Sequence, residues 1–193
     1  MSQRLHANSP GTKSVGRLSG VRIVLLGDSH LARVQRDLPR LGKDVVNAAA
    51  GGATVHDLAT QAAAASVRPD DVVVLSIGTN DAAPWRKVPA ALVREVLEQF
   101  LRSCDADRCV VILPPGVIEA RLNGSGDRTN ALLEDYQAAV TAAAAAAEAE
   151  IMDSKAELSA LGPSAFASDG LHLSGEGYRV LLSALRTALH SEA

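Results

Sequence analysis

From residue 21 onward, short apolar runs alternate with segments of helical periodicity. Val21–Leu26 (VRIVLL) is rich in β-branched residues and ends at Gly27, the pattern of a buried strand. Val72–Ile77 (VVVLSI) is the clearest such run and stops at Gly78. Val110–Leu113 is another, closed by Pro114-Pro115-Gly116, and Asp44–Asn47 and Glu150–Met152 are shorter ones. Between them lie helical patterns at Leu31–Leu41, Val55–Ser66, Pro89–Ser103, Asn130–Ala149, Lys155–Leu161 and Gly175–His190. In the third of these, Leu92, Val96, Leu97, Phe100 and Leu101 fall on one stripe. Pro89 suits a first helical turn, Arg68-Pro69 a helix stop, and Ser174 an N-cap.

Strands that alternate with helices form βαβ units, with a parallel sheet and helices on both faces. The expected fold is therefore α/β, a three-layer αβα sandwich of about five strands with right-handed crossovers. A chain of 193 residues suits one domain and buries roughly 70% of its unfolded surface. Residues 21–193 are expected to form that domain. Residues 1–20, rich in Ser, Gly and basic side chains without a period, are expected to be a flexible arm.

Composition excludes several function classes. Hydrophobic residues make up 47% and charged residues 21%, which rules out a largely disordered chain. Aromatic residues are only 3% (Trp85, Phe100, Tyr136, Phe166, Tyr178), so stacking platforms for nucleobases are scarce. A net charge of −3 implies no strongly basic face to hold phosphates, and nucleic acid is not an expected partner. Cys104 and Cys109 support neither a disulfide framework nor a four-thiolate zinc site, and are expected to be reduced, one local bridge being the alternative. No apolar run reaches the length of a signal or membrane-spanning segment, which favours a cytoplasmic protein without a membrane span, a secreted mature form being the alternative. The Asn123-Gly124-Ser125 sequon has meaning only in a secreted chain.

In an open parallel sheet, ligands bind at the carboxyl ends of the strands. Gly27-Asp28-Ser29-His30 follows the first strand, and Asn47 to Thr54 (NAAAGGAT) the second. Gly78-Thr79-Asn80-Asp81 follows the third, and Ser168-Asp169-Gly170-Leu171-His172 precedes the final helix. Each segment alone reads as an ordinary turn or cap. Together they bring a hydroxyl, an imidazole, a carboxylate and a primary amide to one edge. A serine hydroxyl needs a base, the base needs an orienting group, and a tetrahedral oxyanion needs pre-aimed donors.

These segments resemble the four sequence blocks of the SGNH hydrolases, the GDSL esterases and lipases. Gly27-Asp28-Ser29-His30 matches the first block, with His30 where many members carry Leu. Gly52, Gly78-Thr79-Asn80-Asp81 and Asp169-Gly170-Leu171-His172 match the glycine, asparagine and Asp-x-x-His blocks in order and spacing. The resemblance spans residues 27 to 172. It implies a flavodoxin-like αβα sandwich and a serine esterase that removes a small acyl group, acetyl above all, from a small-molecule or carbohydrate ester. Ser29 would be the nucleophile, His172 the base and Asp169 its orienting partner. The backbone N–H groups of Ser29 and Gly52 and the Asn80 amide would form the oxyanion hole. No metal or cofactor is implied. The Gly-x-Ser-x-Gly elbow of α/β-hydrolases is absent, because Leu31 stands two residues after Ser29.

Three further residues are candidates for substrate contact. His30 lies either at the mouth of the site or in the first turn of a helix. Trp85, beside Arg86 and Lys87, either meets substrate or packs on Pro84 and Pro89. Arg121 sits on a loop that leaves a strand end. The alternatives for function are a lysophospholipase or thioesterase on longer chains, a non-catalytic acyl- or glycan-binding module, and an acyltransferase.

Overall fold

The computed structural model describes residues 20–86, 88–122 and 127–190. Residues 1–19 of the expected arm, Lys87, and the Asn123-Gly124-Ser125 sequon lie outside the described residues.

Five strands form one parallel sheet: β1 (Ile23–Gly27), β2 (Val45–Asn47), β3 (Val72–Ser76), β4 (Arg108–Ile112) and β5 (Glu150–Met152). Their spatial order is β2-β1-β3-β4-β5. The α-helices are α1 (Ser29–Ala32), α2 (Leu58–Ala65), α3 (Ala90–Ser103), α4 (Asn130–Ala146), α5 (Ser154–Leu158) and α6 (Gly175–His190). Residues along a strand alternate between faces, so each strand feeds both layers. Ile23, Leu25, Val72 and Val74 pack with Leu31 of α1, Leu158 of α5 and Leu181 and Leu185 of α6. Val24, Leu26, Val73 and Leu75 pack with Leu58 of α2, Leu97 of α3 and Leu133 and Val140 of α4. The result is the expected three-layer α/β sandwich.

The helical stretch expected over Leu31–Leu41 is broken. Only Ser29–Ala32 is α-helical, and 3₁₀ turns follow at Arg33–Arg36 and Leu38–Arg40. Leu31 and Val34 are three residues apart and both buried; Leu41 closes the segment, also buried. Three-residue spacing fits a 3₁₀ winding, which eclipses positions i and i+3. Elsewhere the boundaries shift by a few residues. The Val55 helix opens as a 3₁₀ turn, Val55–Asp57, with a Thr54/Asp57 capping box, and ends at Ser66, whose φ of 51° is left-handed. On α3 the fully buried positions include Val93 beside Leu97, Phe100 and Leu101, while Leu92 and Val96 are half-buried. Ser174 caps α6, its hydroxyl accepting the Gly177 N–H at 3.1 Å.

Two ion pairs pin the end of the sheet away from the candidate site. Arg22 and Asp71 pair at 2.8 Å between the starts of β1 and β3. Arg108 pairs with Glu150 across β4 and β5, and its guanidinium also donates to the Ala188 and Leu189 carbonyls, fixing the end of α6. Cys104 and Cys109 are both free. Among the described residues no helix is long and apolar enough to cross a membrane.

Candidate active site

Strand order turns back between β1 and β3, and the crevice beyond their carboxyl ends is the binding position of such sheets. The loops after β1, β2 and β3 meet there. β1 ends in Gly27, whose φ is +114°; a Cβ at this position would lie 1.9 Å from the Ser76 carbonyl oxygen. No other residue lets β1 and β3 approach this closely and still turn into α1. Asp28 then caps α1, its Oδ1 accepting the His30 N–H at 2.9 Å, and Ser29 opens the first turn.

Asp169, Gly170, Leu171 and His172 form the tip of a turn closed by an antiparallel bridge between Phe166 and Leu173. Gly170, at φ +70°, sits where a Cβ would be 2.6 Å from the Ile118 carbonyl oxygen and 2.7 Å from Arg121 Cβ. The turn thereby packs directly on the loop after β4. Asp169 Oδ1 accepts the backbone N–H groups of Leu171 and His172, at 3.0 and 2.9 Å. Its Oδ2 lies 2.7 Å from His172 Nδ1, and His172 Nε2 lies 3.1 Å from Ser29 Oγ. Burial alone would raise the Asp169 pKa, but the hydrogen bonds from His172 and Leu171 outweigh it and hold the carboxyl at about 2. The carboxylate is therefore ionised and accepts from Nδ1–H, which leaves Nε2 to accept from the Ser29 hydroxyl.

Gly52 and Asn80 are brought to the same edge. Asn80 Nδ2 donates to the Ala53 carbonyl at 3.0 Å, next to Gly52. Asp81 is buried and ties the two loops: Oδ1 accepts the Val55 N–H at 2.9 Å and Oδ2 the Gly78 N–H at 3.1 Å. Arg86 donates from Nη2 to the Gly52 carbonyl at 3.0 Å. Gln61 is buried in α2 and grips Gly27 from both sides, its Oε1 accepting the Gly27 N–H at 2.6 Å and its Nε2 donating to the Gly27 carbonyl at 2.9 Å. Gln61 is not legible as a site residue, whereas Arg86 stands beside Trp85 on the loop already read as near the site. For Gln61 the signal was present: a polar residue stands in the buried stripe Leu58, Gln61, Ala65.

The three expected contact residues end in different places. His30 is 2% exposed and does not reach the mouth of the site; its ring centroid lies 6.2 Å from that of His172. Among the described residues neither ring nitrogen has a hydrogen-bond partner. Burial, reinforced by the nearby His172, pushes its pKa down to about 3, so His30 is neutral. Arg121 reaches the carbonyls of Pro163 and Ala167, at 3.3 and 3.5 Å, and braces the segment before the Asp169 turn. Trp85 is 60% exposed, with the Arg128 guanidinium 5.2 Å from its ring centroid.

Beneath Ser29, Asp28 is fully buried and its Oδ2 has no partner among the described residues. Burial pushes its carboxyl up to about 7, helped by Asp81 and opposed by the hydrogen bond from the His30 N–H.

Residues 4–180 match the GDSL-like Lipase/Acylhydrolase family. No curated sequence is significantly similar to the chain. Among solved structures, the fold superposes on a lipase/acylhydrolase from Enterococcus faecalis with a TM-score of 0.74 at 23% identity, over 90% of this chain and 100% of that one. An acetylxylan esterase from Geobacillus stearothermophilus matches with a TM-score of 0.67 at 21% identity, over 90% of this chain and 96% of the other. The acetyl xylan esterase AlAXEase matches with a TM-score of 0.67 at 19% identity, over 88% and 100%. With nearly the whole αβα layer structure inside the matched span, the chain belongs to the GDSL-like lipase/acylhydrolase family and is a carboxylic ester hydrolase.

Proposed function

We propose that the protein hydrolyses esters of a small acyl group, acetyl foremost, through Ser29, His172 and Asp169. The observation that carries this reading is the chain of contacts Asp169 Oδ2 to His172 Nδ1 at 2.7 Å and His172 Nε2 to Ser29 Oγ at 3.1 Å. His172 Nε2 takes the Ser29 proton as Oγ attacks the ester carbonyl carbon. The ionised Asp169 holds the imidazole in the tautomer this needs and stabilises the imidazolium that results. Negative charge gathers on the carbonyl oxygen. It is met by the Ser29 N–H, which has no intrahelical acceptor in a first turn, by the Gly52 N–H and by the second N–H of Asn80 Nδ2. His172 then gives its proton to the departing alcohol oxygen. Water repeats the sequence on the acyl-enzyme and releases the carboxylic acid and free Ser29.

Acetyl as the acyl group, and a sugar among the alcohols, are supported by the acetylxylan esterases among the structural neighbours. The site needs no metal or cofactor for these steps. A series of linear esters from acetate to octanoate tests the acyl preference. kcat/KM is expected to fall steadily with chain length and to vanish in Ser29→Ala; a rise toward octanoate would point to a longer-chain lipase or thioesterase instead.

A further inference from the structure

A single exposed apolar side chain is ordinary on a protein surface, so its place in the fold decides what it means. Among the described residues two are exposed, Ile151 on the edge strand β5 and Trp85, and only Trp85 belongs to a loop of the site. Its surroundings are built rather than loose. Residues 78–86 descend in successive turns, with the Ala82 N–H on Gly78, the Ala83 N–H on Asn80 and the Arg86 N–H on Ala83, at 3.0, 3.0 and 2.8 Å. Arg128, only 4% exposed, stands against the Trp85 ring. Its own position is fixed by the Thr79 carbonyl and by Asp127, each at 3.0 Å. Arg86, the next residue, is held by the Gly52 carbonyl. Trp85 thus sits on the loop that carries Asn80, tied through Arg86 to the loop that carries Gly52, while more than half of its own surface stays in solvent.

We infer that the exposed face of Trp85 is the binding surface for one sugar ring in the alcohol part of the substrate. This rests on the esterase reading above and deepens it. The face of an indole is electron-rich and apolar, and it complements the C–H face of a pyranose. Arg128, the cation against the ring, is buried, paired with Asp127 and bonded to a carbonyl. Arg86 is exposed and gives one guanidinium N–H to the Gly52 carbonyl. The stacking surface itself, the indole face, carries no charge and suits an uncharged ring. Trp85 is the sole tryptophan of the chain, so the platform is one ring wide. That width suits a monosaccharide or the end of a short oligosaccharide, not a long polymer lying across several rings.

The test compares an O-acetylated methyl pyranoside with ethyl acetate, which has no ring to stack. Trp85→Ala is expected to lower the ratio of kcat/KM for the sugar acetate over ethyl acetate by about tenfold, through KM, and Trp85→Phe to recover most of it. An unchanged ratio, with both substrates affected alike or neither affected, overturns the inference and leaves Trp85 a packing residue. The second readout is independent of turnover. In Ser29→Ala, the emission of the sole tryptophan is expected to change saturably with the acetylated pyranoside and not with ethyl acetate. A flat titration overturns the inference even if the esterase reading holds. A saturable one in a chain that hydrolyses no ester would keep the sugar surface and remove the esterase reading.

Discussion

Gln61 holds Gly27 by both of its backbone polar groups, through bonds of 2.6 and 2.9 Å from a side chain buried in α2. Gly27 is the last residue of β1, two before Ser29, so the clamp sets where Ser29 leaves the sheet. Removing it strands a buried N–H and a carbonyl, although the Ala50 N–H still bonds that carbonyl at 2.9 Å. Gln61→Ala is expected to cost about 1–3 kcal/mol of stability, read as a lower urea midpoint. It should also lower kcat more than KM, because Ser29 is displaced while the substrate contacts remain.

In the proposed mechanism the carboxylate of Asp169 acts through the imidazole it orients. Asp169→Asn keeps the shape but favours the wrong tautomer, and kcat/KM is expected to fall by about 10²–10⁴-fold. Circular dichroism should stay native. Since the Asp169 carboxyl sits at about 2, it stays charged across the ordinary working range, and a loss of activity below neutrality is not expected to follow its titration.

Asn80 supplies the one side-chain donor of the proposed oxyanion hole. Asn80→Ala is expected to reduce kcat by about 10²–10³-fold with a small change in KM. A large KM effect with unchanged kcat would mean that the amide binds ground state and transition state alike.

Two buried groups under the site give opposite pH dependences. His30 falls from its ordinary 6.5 to about 3 on folding, so the unfolded chain binds the extra proton between those values. Its contribution is fully present above about pH 6.5 and is lost as pH falls toward 3. Asp28 rises from 3.8 to about 7, so the folded chain holds the extra proton, and stability is lost as pH rises from about 4 to 7. Each slope is at most about 1.4 kcal/mol per pH unit. Relative to wild type, His30→Leu is expected to gain stability progressively as pH drops below 6.5. Asp28→Asn is expected to gain it as pH climbs from 4 to 7. Denaturant melts at half-unit pH steps measure both.

Most of this arrangement was legible before any coordinate. Val72–Ile77 and Val21–Leu26 are buried on both faces and read as continuous apolar runs, which is how parallel strands differ from helices and edge strands. The four chemistry-bearing segments follow strand ends because strand ends are where this topology opens. What escaped is tertiary. Local spacing does not separate a 3₁₀ winding from an α-helix at the start of Leu31–Leu41, since both periods accommodate Leu31 and Val34. The grip of Gln61 on Gly27 joins residues 34 apart in sequence, and that of Arg86 on Gly52 is equally remote. His30 does lie in the first turn of α1, one of its two expected places, but its burial depends on how α1 seats beside His172.

The central claim is that Ser29 is a nucleophile activated by His172 across the 3.1 Å contact. A fluorophosphonate phosphonylates such a hydroxyl, Oγ displacing fluoride from phosphorus, and is inert toward an unactivated one. Intact-mass measurement after incubation is predicted to show a single adduct on wild type and none on Ser29→Ala. An adduct that persists in Ser29→Ala, or wild type that hydrolyses esters yet stays unmodified, would contradict the account.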